Sequence, residues 1–85
     1  MGTMIKSLHS NEHKVVIDWL KKGRASQGMT MRELATKMKT PHSFIGKVEQ
    51  GERRLDVVEY IRYCKALEVS PVEGLELLMA NMDRD

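Results

Sequence analysis

Eighty-five residues, 41% apolar and 31% charged, are enough for one small domain with a single core. One cysteine rules out an internal disulfide, and no apolar run nears the roughly 18 residues that would span a bilayer. The net charge of +2 is uneven: residues 21–54 carry a net +6, while residues 55–85 carry a net −4. A polyanion would therefore be met in the middle of the chain.

Residues 1–10 contain Met4, Ile5 and Leu8 but no firm cap, and read as a loosely held arm on the single domain spanning residues 1–85. His9, Asn11, Glu12 and His13 interrupt the first twenty residues, unlike a secretion signal, so a cytoplasmic location is expected. Asn11 is a candidate cap for a helix from Glu12 to about Gln27, with Val15, Val16, Ile17, Trp19 and Leu20 as its apolar stripe. Gly23 is read as a point of close helix approach, and Gly28 as the stop.

Thr30 and Glu33 have the spacing of a capping box, and Leu34, Ala35 and Met38 follow at helical intervals. Thr40 is read as the next cap, with Pro41 as first helical residue. Phe44, Ile45 and Val48 then form an inward face, and Gly51 ends the helix. Leu55 pins a charged connector. Asp56 and Glu59 form a second box, opening a helix with Val57, Tyr60, Ile61, Cys64 and Leu67 buried and Tyr63 at the flank. Val69 anchors a brief turn. Ser70, Pro71 and Glu73 are read as cap, first helical residue and box partner of the last helix, 71–82, in which Val72, Leu75, Leu78, Met79 and Met82 cover one side and Leu77 lies off that line.

Five helices with short turns leave no room for a sheet, so the fold class is all-α. The segment Thr30–Gly51 reads as two short helices joined by a tight turn, a shape that fits a DNA major groove when the second helix faces outward. His9, His13 and His42 lack companions at ligand spacing, so no metal is expected. Cys64 falls on a buried stripe, and no nucleophile–base pair or Gly-rich phosphate loop is present, which argues against an enzyme or a cofactor. A pocket for a small-molecule effector is hard to place in a chain of this length.

Arg24, Gly28-Met29-Thr30, Glu33-Leu34-Ala35, Ile45, Val48-Glu49, Gly51, Arg53-Arg54 and Ala66-Leu67 before Val69 together resemble the Cro/C1-type (XRE-like) helix-turn-helix family of bacterial and phage regulators. The resemblance covers about Val16 to Leu78 and implies a five-helix, lambda-repressor-like domain whose third helix reads DNA. Carried onto this chain, base reading falls on His42, Ser43, Gly46 and Lys47, and backbone contact on Gln50, Glu52, Arg53 and Arg54. It also implies a structural ion pair between Arg24 and Glu49. Three departures stand out: Met31 replaces a usual glutamine, Gly46 lies mid-helix, and Lys39 occupies a turn position often held by glycine. Arg32 and Lys39 are the further candidates for phosphate contact.

The expected function is a sequence-specific, double-stranded DNA-binding regulator. It is expected to be a homodimer through Leu75, Leu78, Met79 and Met82, acting on a near-palindromic operator. The competing expectation keeps the fold but makes it a protein-interaction module, such as an antitoxin or antirepressor partner, with weak or non-specific DNA binding.

Overall fold

Local capping rules divide the chain into its elements. The computed structural model describes residues 11–82, so the expected N-terminal arm lies outside the described residues. Five helices are present: α1 (Asn11–Ser26), α2 (Met31–Met38), α3 (His42–Glu49), α4 (Val57–Leu67) and α5 (Pro71–Met82). No strand occurs among the described residues.

Helix α1 already includes Asn11, one residue earlier than the sequence places its start. It closes at Gly28, whose φ of 66° lets its N–H reach Ala25 O at 3.0 Å while Met29 N–H reaches Arg24 O at 3.2 Å. Two of the three expected capping boxes form. Thr30 Oγ1 accepts from Glu33 N–H at 3.0 Å and Glu33 accepts from Thr30 N–H at 2.8 Å. Asp56 accepts from Glu59 N–H at 2.7 Å, and Glu59 accepts from Asp56 N–H at 2.9 Å. The third, at Ser70–Glu73, does not: at the start of α5 the Glu73 N–H donates to the main-chain Ser70 O at 3.2 Å instead.

The start of α3 differs from the expectation. Pro41, extended at φ −62° and ψ 148°, is itself the cap residue, and His42 is the first helical one. Thr40 is thereby moved one position too far out to reach the first free amides, and its Oγ1 is buried without a hydrogen-bond partner among the described residues.

Lys39 takes the left-handed conformation, φ 58° and ψ 44°, that its turn position demands. That conformation costs an L-residue about 1–2 kcal/mol, partly offset by the lower unfolded-state entropy of a residue with a side chain. Lys39→Gly is therefore expected to stabilise the domain by about 0.5–1 kcal/mol, raising Tm by about 4 °C in a thermal melt.

The core is drawn from Ile17 and Leu20 of α1, Leu34, Ala35 and Met38 of α2, Ile45 and Val48 of α3, and Tyr60, Tyr63, Cys64, Ala66 and Leu67 of α4. Two expectations on α4 are corrected. Tyr63, placed at the flank from sequence, is fully buried, whereas Val57 is 77% exposed. The buried arc is centred between Tyr60, Tyr63 and Leu67, which leaves Val57 on its rim in the first, least covered turn. Phe44, expected in the core, is half-buried against it.

Gly23 is also reassigned. A Cβ there would sit 3.7 Å from Val69 Cγ1 and 3.8 Å from Leu67 Cδ1, ordinary contact distances, so the helix approach does not need glycine. Gly74 does carry a close approach. It packs α5 onto Trp19 of α1 and Tyr60 of α4, with Leu77 and Leu78 half-buried on either side. The Tyr60 hydroxyl donates to Pro71 O at 2.6 Å and secures the start of α5. Leu75, Met79 and Met82, with Val72, remain exposed on a continuous stripe of that helix.

Candidate nucleic-acid interface

With Ile45 and Val48 pointing into the core, a period of 3.6 residues sends His42, Ser43, Gly46, Lys47 and Gln50 to the opposite side of α3. His42, Ser43, Lys47 and Gln50 are exposed and Gly46 is partly exposed, so the positions expected to read bases share one outward face. Imidazole, hydroxyl and ammonium groups there offer donors and acceptors to base edges, and Lys47 suits guanine O6 and N7 or a phosphate. Apart from its chain neighbours and the backbone of its own helix, nothing lies within 4 Å of where a Gly46 Cβ would stand.

Two arginines hold this helix from its two sides. Arg24, at the end of α1, donates to Glu49 through Nε (2.6 Å to Oε2) and Nη2 (3.0 Å to Oε1). Its Nη1 donates to Met29 O at 2.7 Å, so one guanidinium ties the end of α1, the α1–α2 turn and the end of α3. The side chains are only 15% and 6% exposed. The bond to Glu49 strengthens the hold on the Arg24 proton against the opposing effect of burial. Beside this pair the Tyr63 phenol is pushed up by burial and then by the charge of Glu49, and its hydroxyl finds no partner among the described residues.

The second is Arg53, in the connector. It donates to both carboxylate oxygens of Glu59, at 3.1 and 2.7 Å, and its guanidinium carbon stands 4.9 Å from the centre of the Phe44 ring. Arg54 is exposed and lines a different feature, a groove of about 560 Å³ bordered by α1, α4 and α5 and including Val16, Ile61 and Leu78. Arg32 and Lys39 are exposed at the start and end of α2. The arrangement thus unites His42, Ser43, Gly46, Lys47 and Gln50 on one face, keeps Arg32 and Lys39 at the two ends of the neighbouring helix, and pairs Arg53 with Phe44 and Glu59.

A family model for the helix-turn-helix matches residues 20–73. The chain belongs to the Cro/C1-type, XRE-like helix-turn-helix family. An XRE-family like protein from Pseudomonas syringae pv. tomato str. DC3000 superposes with a TM-score of 0.76 at 36% identity, over 81% of this chain and 84% of that one. The wild-type restriction-modification controller protein C.Esp1396I gives a TM-score of 0.75 at 30% identity, over 91% of this chain and all of that one. The same controller, as a tetramer in complex with its natural 35 base-pair operator, gives 0.74 at 32% identity, over 85% and 95% of the two chains. Among curated proteins, none matches this chain in sequence.

As an XRE-like helix-turn-helix protein, the chain is a DNA-binding transcriptional regulator. Among its described residues no helix is long and apolar enough to cross a membrane. Cys64 is buried in the core of the XRE-like domain, where burial pushes its thiol up, away from the thiolate form that reacts.

Sequence reasoning missed the Phe44–Arg53–Glu59 cluster. Arg53 and Glu59 are six residues apart across a helix start, a spacing that no local pairing rule marks, and Glu59 was accounted for as a cap partner. Gly46→Ala separates folding from binding. It should gain up to about 1 kcal/mol in chemical denaturation, because alanine is the better helix former and the site is open. In a binding titration the same variant is expected to weaken DNA affinity, since a methyl group is added at the centre of the reading face.

Proposed function

We propose that this chain is a sequence-specific double-stranded DNA-binding transcriptional regulator that acts as a homodimer on a near-palindromic operator. The observation that carries the reading is the polar outward face of α3, with His42, Ser43 and Lys47 all exposed beside Gly46. In this reading α3 enters the major groove, His42 and Ser43 bond to base edges, and Lys47 contacts guanine or phosphate. Arg32, Lys39, Gln50 and Arg54 are the candidates for holding the backbone.

One domain reads few base pairs, so specificity calls for two reading helices about 34 Å apart on successive turns of one groove. The exposed stripe of α5, Leu75, Met79 and Met82 with half-buried Leu78, is the surface proposed to pair two copies. The net −4 of residues 55–85 suits a surface turned away from DNA. C.Esp1396I, tetrameric on its operator, supports both DNA binding and self-association as the working mode. Regulation follows from occupancy of a promoter, and raising salt weakens binding as condensed counterions must be displaced less favourably.

The test is selection of bound sequences from random duplexes, followed by competition at physiological salt and sedimentation of the free protein. A selected duplex should outcompete random duplex by about 10³-fold or more, and the mass should be that of a dimer. Equal affinity for both duplexes would overturn operator recognition and favour the interaction-module reading. A monomer at working concentration would remove the role given to α5.

A further inference from the structure

The rotational setting of α3 is not fixed by its core contacts alone. Helix α3 rests on Ile45 and Val48, with Phe44 projecting on one side of that ridge and Glu49 on the other. A short rod seated on a narrow apolar ridge resists translation better than rolling about its own axis. Glu49 is held by Arg24, which stops one direction of roll. The backbone of α3 packs more closely on α1 and α2 than on α4. On the α4 side the tie is Arg53, with its guanidinium over Phe44 and both forks on Glu59. Glu59 is itself anchored by the cap of α4, through the N–H of Asp56 and its own N–H to Asp56 Oδ1.

We propose that Arg53 is a positioning residue for DNA reading: by clamping Phe44 of the reading helix to Glu59 of α4 it sets the rotation at which His42, Ser43 and Lys47 meet the groove. This rests on the DNA-reading function proposed above, and it replaces the phosphate contact expected of Arg53 from sequence. The flat guanidinium is essential to it. An ammonium keeps the charge but can neither fork onto both Glu59 oxygens nor lie over the ring in the same way. Arg53 therefore loses its role on conversion to lysine, which a phosphate contact would survive.

The experiment compares Arg53→Lys, Arg53→Gln and Glu59→Gln in the full chain, against wild type, for a selected duplex and a random one across a salt series. Glutamine at 59 preserves the capping box while removing the charge that holds Arg53. The clamp predicts that all three variants lower the ratio of specific to random affinity by about tenfold or more, with the slope of log affinity against log salt unchanged. A loss of folded protein alone would lower both affinities together and leave that ratio as it was, which overturns the proposal. So does wild-type behaviour of Arg53→Lys combined with tighter binding by Glu59→Gln. A slope reduced by about 0.9 in Arg53→Gln would identify a phosphate contact and also overturn it.

Amide chemical shifts of the DNA-free protein separate this proposal from the one beneath it. The clamp predicts that Glu59→Gln moves the signals of His42 to Lys47, although residue 59 lies on another helix. Unmoved signals overturn the clamp even if wild type prefers an operator. If wild type shows no duplex preference while those signals move, operator reading falls and the clamp stands as the device that orients α3.

Discussion

Glu49→Ala is expected to lower the unfolding free energy by about 3–5 kcal/mol in urea or thermal denaturation. The cost comes from what is left behind. Arg24 keeps its charge in a site where it is 15% exposed, loses both forks to Glu49, and retains only the bond to Met29 O. Against a total stability of about 5–15 kcal/mol for a domain of ordinary stability, this loss removes much of the margin. The double variant Arg24→Met/Glu49→Leu should recover most of it, because neither desolvated charge remains. A single variant as stable as wild type would show that water reaches the pair freely.

Gly74→Ala should cost about 3 kcal/mol, at the upper end for an added methyl group in a packed interior. The new Cβ would lie 2.5 Å from Trp19 Cζ3 and closer still to the Tyr60 hydroxyl oxygen. Neither neighbour can yield cheaply, since the indole is packed against the core and the phenol is bonded to Pro71 O. The remaining response is displacement of α5, which would also move the stripe proposed for dimerisation. Gly23→Ala is the matched comparison, because its Cβ meets Val69 and Leu67 at normal distance. It should gain about 0.5–1 kcal/mol from helix propensity. Opposite signs at the two glycines, measured by denaturant midpoint, would establish that α5 is seated through Gly74.

What could be read from the chain was mainly what is local. The boxes at Thr30–Glu33 and Asp56–Glu59 and the left-handed glycines at 28 and 51 involve groups a few residues apart, so sequence spacing nearly determines them. The outward face of α3 was legible for the same reason: once Ile45 and Val48 are inward, the period places Ser43 and Lys47 outward. Thr40-Pro41 was not, because proline suits both the cap and the first helical position, and the choice depends on where the preceding turn delivers the chain. Tyr63 and Val57 exchanged roles because periodicity gives a stripe but not the angle at which neighbouring helices cover it. Phe44, Arg53 and Glu59 come from three separate segments, and only the packed structure brings them together.

DNA reading by the outward face of α3 is tested by the affinity of Lys47→Ala for a selected duplex. Lys47 is exposed, so the variant should melt with wild type. It should nevertheless lose about 1–3 kcal/mol of specific binding, roughly a five- to 150-fold weakening. Undiminished affinity for that duplex would contradict the account and move DNA recognition to another surface of the domain.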